Sequence, residues 1–271
     1  MTRLVRRCTP GLIERSDVAM RTPRASRALG AGLAAALLGA ALLSGCSSNR
    51  ERASIRLTLA TTYFQNGQYE VALEETTRAL EMDESFSDAH SLRGLIYTKL
   101  EETARAEASF RRALQINPGD SDARHNLGML YCQNKQLSAA VRELTQAAAD
   151  ARVRNRGRSL LALGVCQLQL GDAAGAEATL QRAFYDDPGD PMVSYNLAKL
   201  QYQRGAFVEA QQSIRPLNNS QYANSESMWL GIRAARKAGD GRTMQDLGEQ
   251  LRRRFGSSTE YQKFQRGAFD E

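Results

Sequence analysis

Two histidines, His90 and His125, are the only side chains in this 271-residue sequence whose ordinary pKa lies near neutrality. They could form a metal pair or a general acid–base pair, but no carboxylate or cysteine stands at ligand spacing around either. Polar histidines on helix faces account for them better. Gly-rich phosphate loops and paired zinc cysteines are absent from the sequence. Beyond Cys46 only Cys132 and Cys166 remain as candidates for thiol chemistry. An oxidising compartment would permit a bridge between them. Packed helices lie about 8–10 Å apart, however, which exceeds the usual Cα separation of a disulfide. Two small core residues are therefore expected. The sequence predicts no catalytic set, no cofactor, no metal site and no small-molecule substrate, so the chain is not expected to be an enzyme.

Cys46 invites a different chemistry. Arg21, Arg24 and Arg27 precede the apolar run 28–43, and Leu43-Ser44-Gly45-Cys46 follows. A positive segment, an apolar segment and small residues before a cut describe a secretory signal. An apolar run of about sixteen is short for a membrane span, which is the alternative. The ending resembles the lipobox of bacterial lipoproteins. That resemblance implies a signal peptide over 1–45, lipidation of Cys46 after cleavage, and a lipidated N-terminus with a short linker over 46–52. Two or more acyl chains give stable anchoring where one is marginal. Ser47, where aspartate would favour the inner membrane, implies sorting to the outer membrane, with the protein facing the periplasm. Met20 stands directly before the usual signal pattern, and translation is expected to start there.

The charge follows the same division. The whole chain carries +6, but residues 1–45 hold seven arginines and two acidic residues. The rest keeps 29 basic against 28 acidic groups, or +1. The basic pI belongs mostly to the targeting segment, so nucleic acid is not an expected partner. The arginine runs Arg152/Arg154/Arg156/Arg158 and Arg252–Arg254 could meet acidic partners or lipid head groups, but solvated helix ends are the expected role.

The elements that carry these residues repeat. In residues 88–118, Gly94 and Tyr97 fall on one helix, and Ala106, Phe110, Ala113 and Leu114 form the apolar stripe of a second. Pro118 ends it. The stripe's alanine recurs as Ala72, Ala106, Ala140, Ala176 and Ala210, at intervals of 34, 34, 36 and 34. The small residue of the first helix recurs as Ala60, Gly94, Gly128, Gly164 and Ala198. This matches the tetratricopeptide-repeat signature. The fold class is therefore all-α, an α-α superhelix of about six helical hairpins over residues 53–271. Its last repeat is a degenerate cap containing Trp229-Leu230-Gly231, closed by Tyr261, Phe264 and Phe269. Pro216 should end the second helix of repeat five early, with a loop at Asn218-Asn219-Ser220.

Membership of that family implies a concave groove lined by fixed positions of each first helix. Carried onto this sequence, the apolar and aromatic groove positions are Leu57, Thr61, Phe64, Leu95, Met129, Leu161, Leu168, Tyr195 and Tyr202, with glutamine edges. Such a lining suits an apolar helix or extended peptide. The Lys/Asn/Arg set with which chaperone-type repeats hold a terminal carboxylate is missing, since Leu57 and Thr61 stand at its positions. Cys132 and Val165, at other groove positions, are expected to pack between repeats.

A repeat lipoprotein of this kind resembles the PilF/PilW family of type IV pilus biogenesis proteins, with Trp229-Leu230-Gly231-Ile232-Arg233 and the tail 258–264 as the sharper local points. The resemblance implies a pilotin: a partner of the pilus secretin subunit that brings it to the outer membrane and promotes its multimerisation. The alternative is a scaffold lipoprotein for outer-membrane protein assembly or for murein hydrolases.

Overall fold

The structure is a computed structural model that describes residues 49–149 and 156–270. The signal segment, Cys46, Ser47, Arg152 and Arg154 lie outside the described residues. Among the described residues every regular element is an α-helix: α1 over 49–65, α2 Tyr69–Met82, α3 Ser87–Lys99, α4 Thr103–Ile116, α5 Ser121–Gln133, α6 Leu137–Ala147, α7 Arg156–Leu170, α8 Ala173–Asp186, α9 Pro191–Gln203, α10 Phe207–Asn218, α11 Ser225–Lys237, α12 Gly241–Phe255 and α13 Thr259–Arg266. None is long and apolar enough to cross a membrane. The chain divides after Leu100 into two compact units, α1–α3 and α4–α13.

Each unit is built by the same rule. An amphipathic helix buries one stripe, and a short hairpin cannot cover that stripe alone. In the first unit α2 packs on α3. Ala60, Ala72, Leu92 and Ile96 form one core cluster, and Ala53, Ala79, Leu80, Phe86 and Ala89 form another. In the second unit α5 pairs with α6, α7 with α8, α9 with α10 and α11 with α12, and each pair packs on the next. The last cluster gathers Met228, Trp229, Ile232, Leu247 and Leu251, with Tyr261, Phe264 and Phe269 packed against it as expected of a cap.

Within a pair the helices touch where a side chain is missing. A Cβ on Gly128 would lie 2.6 Å from Leu144 Cγ, and one on Gly164 would lie 2.7 Å from Leu180 Cγ. Both leucines are fully buried. Polar pairs recur in register too. Arg56 donates to the buried Glu75 at 2.7 Å, and Arg124, 68 residues on, donates to Glu143 at 3.2 Å. Helix starts follow the local sequence. Asp120 Oδ1 accepts from Ala123 N–H at 2.9 Å, and Pro191 occupies the first turn of α9, where its missing N–H costs nothing.

The expectation for Pro216 is corrected. α10 continues through it to Asn218. A proline in the last turn removes one helical hydrogen bond. Ile214 and Leu217, buried with Ala198 and Leu230, outweigh that loss and hold the turn in place.

The hairpin turn also departs from simple sequence logic. One residue in each turn takes a left-handed backbone: Gly67, Glu101, Lys135, Gly171, Gly205 and Gly239, at intervals of 34, 34, 36, 34 and 34. Each ends a helix. In the first repeat Gly67 N–H donates to Phe64 O at 3.0 Å and Gln68 N–H to Tyr63 O at 2.9 Å, which is the Schellman pairing. Glu101 and Lys135 hold this conformation, each at φ 61°, against the clash of their own Cβ. Glu101→Gly should therefore stabilise the protein by roughly 0.5–1 kcal/mol, the relieved strain exceeding glycine's entropy cost. Urea unfolding checks this, and a lower midpoint for the variant would contradict it.

Candidate functional site

All nine sequence-predicted groove positions are half-buried: Leu57, Thr61, Phe64 and Leu95 in the first unit, and Met129, Leu161, Leu168, Tyr195 and Tyr202 in the second. They form the fringe of the core rather than its centre. Leu57 packs against both clusters of the first unit, and Phe64 joins one of them. Leu161 likewise touches two clusters of the second unit, and Leu168 one. Tyr195 and Tyr202 lie against Ala198, Ile214, Leu217 and Leu230. Leu57, Phe64, Leu161, Leu168, Tyr195 and Tyr202 thus each have one face supported by packing and another in water. Support of this kind fixes rotamers in advance, which lowers the ordering cost of binding.

Two aromatic pairs brace this surface in the same register. Phe64 meets the ring of Tyr69 at 5.7 Å in the first unit, and Tyr202 meets Phe207 at 5.3 Å in the second. The guanidinium of Arg233 lies 4.8 Å from the Tyr202 ring centre. Thr61 turns its hydroxyl to Leu57 O at 2.8 Å, so its methyl remains for contact. Gln65, Gln133, Gln169 and Gln203 are exposed at the edges. Burial pushes the Tyr195 phenol above its usual range, and Glu226 adds to this, so the ring presents a neutral hydroxyl.

The histidines, read as polar residues on helix faces, lie in the core. His90 is 4 % and His125 6 % exposed. His90 Nε2 pairs with Glu84 O at 2.9 Å, and His125 Nδ1 with Ser159 Oγ at 3.1 Å. A serine beside a histidine has the outline of nucleophilic chemistry, but Ser159 is itself 2 % exposed and no substrate could reach it. Among the described residues no group of three or more His, Cys, Asp or Glu side chains could hold a metal. Burial, then Arg158, lowers the His125 pKa to about 4.

Two family models, each described as tetratricopeptide repeat, match residues 57–121 and residues 97–164 and 167–230. Together they span most of the chain. The chain belongs to the tetratricopeptide-repeat family. It is, more narrowly, PilF/PilW-like. It is 29 % identical over 209 residues to the type IV pilus assembly protein PilF of Pseudomonas aeruginosa, covering 77 % of this chain and 83 % of that protein. The solved structure of P. aeruginosa PilF matches with a TM-score of 0.68 and 28 % identity, over 81 % of this chain and 99 % of that one. That of PilW, described as a widely conserved type IV pilus biogenesis factor, matches with 0.61 and 25 %, over 78 % and 97 %.

In this tetratricopeptide-repeat protein the cysteines overturn the expectation of two free core thiols. Cys132 on α5 and Cys166 on α7 form a disulfide, with their Cα atoms 5.9 Å apart. The 8–10 Å separation of packed helices is measured between axes. Cα atoms sit about 2.3 Å from each axis, so directly facing residues approach to roughly 3.5–5.5 Å and offset ones to somewhat more. That overlaps the disulfide range. The available signal was that both stand near the ends of the first helices of successive repeats, 34 residues apart where those repeats are 36 apart. Of the arginine runs, Arg252–Arg254 is exposed in the last turn of α12, as expected, whereas Arg156 pairs with Asp186 at 2.7 Å and Arg158 with Asp122 at 3.3 Å.

Two outcomes follow from these buried groups. Closing a loop of 34 residues should contribute roughly 3–4 kcal/mol. Cys132→Ala should lower the thermal midpoint by several degrees, and reductant should do the same to the wild type only; equal midpoints would exclude a structural bridge. For His125 the folded pKa, about 4, is depressed below an unfolded value near 6.5. The unfolded chain then binds more protons between these values, so stability is present above pH 6.5 and declines as pH falls toward 4. His125→Gln should flatten the pH 5–6.5 part of that decline in thermal unfolding. An unchanged slope would place the titration elsewhere.

Proposed function

We propose that this protein is a type IV pilus biogenesis factor of pilotin type: an outer-membrane-anchored lipoprotein that binds the pilus secretin subunit and promotes its localisation and multimerisation. The observation that carries this is the similarity to PilF and PilW over most of the chain, with the same fold. Three features support it. Residues 43–46 have the form of a lipobox, which would anchor Cys46 in the lipid of the outer membrane. The Cys132–Cys166 disulfide suits an oxidising compartment such as the periplasm. The half-buried apolar positions suit a peptide segment of a partner, as tetratricopeptide repeats commonly receive.

The mechanism is confinement. A secretin subunit before assembly exposes strand edges that invite aggregation. Binding near the membrane would shield it, and lipid anchoring would hold it at the surface where others gather. Effective concentration then rises with no new contact between subunits. Only Ser47 and Ser48 stand between Cys46 and the first helix, a reach of about 10 Å, which would keep the first unit close to the bilayer.

Phe64 is the anchor of choice in the first unit, since its ring is held by Tyr69 and by the cluster of Ala60, Ala72, Leu92 and Ile96. Phe64→Ala should weaken secretin capture by about thirtyfold, equivalent to about 2 kcal/mol, while helicity stays unchanged. Cys46→Ala should bind secretin normally but leave few heat- and detergent-resistant multimers in fractionated outer membrane. Wild-type multimer levels with the unanchored protein would contradict the carrier mechanism.

A further inference from the structure

The sixth repeat differs from the rest of the groove in charge. Adding 34 to the groove positions of repeat five takes Met192 to Glu226, Tyr195 to Trp229, Lys199 to Arg233, Tyr202 to Arg236 and Gln203 to Lys237. A lining with one cation thus becomes one with a tryptophan, three cations and a single carboxylate on α11. That surface is already in contact with a segment of the chain. Gly267, at φ 68°, turns the backbone after α13, and Ala268 N–H closes the turn on Lys263 O at 3.0 Å. Phe269 then stacks on Trp229, with ring centres 5.6 Å apart and planes 16° from parallel. The Arg236 guanidinium lies 4.1 Å from the centre of the same Phe269 ring. Lys237 Nζ meets Asp270 Oδ1 at 2.9 Å. The Asp270 carboxyl is held below its ordinary range by Lys237 first, with Arg236 and Arg233 adding to the field.

We propose that this face of α11 is a second docking site, for a partner segment in which an aromatic residue is followed by acidic ones, and that the chain's own Phe269–Asp270 is its resident occupant. The tail shows the chemistry the surface accepts. A ring fills the place against Trp229 and Arg236, and a carboxylate follows toward Lys237. Cation–π and stacking contacts select the ring, and the field of three cations selects the acid. The polar end of the tail is weakly held. Its ion pair is 42 % and 71 % exposed at its two ends, and exposed pairs hold little. A partner segment with the same order of groups and further acidic residues would displace it. This site goes beyond the apolar groove of the first repeats, and its test uses no secretin, so either can fail alone.

Trp229 is the only tryptophan in the sequence, so its fluorescence reports this site alone. The full chain would be titrated with an acetylated GAFDE peptide and with its neutral counterpart GAFNQ. Three proteins are compared: wild type, the tail-released double variant Phe269→Ser/Asp270→Asn, and Lys237→Glu. The acidic peptide should shift Trp229 emission saturably, bind the tail-released variant about tenfold more tightly than wild type, and lose affinity with added salt. GAFNQ and Lys237→Glu should each abolish the shift. Circular dichroism checks that helicity is kept. Should the double variant lose it, wild type against Lys237→Glu at high peptide concentration decides the matter. No saturable shift, equal binding of GAFNQ, or equal affinity for wild-type and tail-released chains would overturn the proposal.

Discussion

The distance at which the two helices of a hairpin meet sets what else this protein can do. Gly128 and Gly164 leave no room for a Cβ against Leu144 and Leu180, and those leucines are wholly buried as a result. A larger residue at either glycine would wedge the pair apart, exposing the leucine or straining it. Close approach fixes which side of each first helix is used up by packing. The remaining positions are left at the margin, supported from beneath and open above. That is the state of Leu57, Phe64, Leu161, Leu168, Tyr195 and Tyr202. A surface for binding is therefore a by-product of how the core closes, and it recurs once per repeat because the core does.

The same constraint explains the covalent and polar cross-links. Repeats stacked at regular distance bring equivalent helices together at their Cα atoms, and Cys132 and Cys166 exploit that approach. His125 and Ser159, also 34 residues apart, face each other across the same pair of helices. A disulfide and a buried polar pair at one junction hold repeats three and four in a single arrangement, which keeps the neighbouring groove positions Met129 and Leu161 in register.

Much of this was legible in the sequence, for a physical reason. Repetition turns weak local signals into a strong one: a single alanine says little, but five at repeat spacing say which faces pack. Pro191 and Asp120 start their helices through roles that are purely local. What escaped depended on neighbours. Pro216 looked like a helix end because its cost is local while the burial of Leu217 that offsets it is not. His90 and His125 could be placed on helix faces, but only the fold shows that those faces are buried and which partners they meet. Glu101 and Lys135 gave no sign of a left-handed backbone, since glycine holds that place in the other four turns. The disulfide was missed by treating an axis distance as an atom distance.

The groove positions were predicted from family register, and the structure shows their exposure and support. Their use is the centre of the account, and site-specific photo-cross-linking in cells tests it directly. A photoreactive residue would be placed in turn at Leu57, Thr61 and Phe64, and at the exposed Ile55, Thr62 and Val71 of the same hairpin. The account predicts secretin adducts, identified by mass, at the first three positions and none at the others. Adducts at Ile55, Thr62 or Val71 with none at Leu57, Thr61 and Phe64 would contradict it.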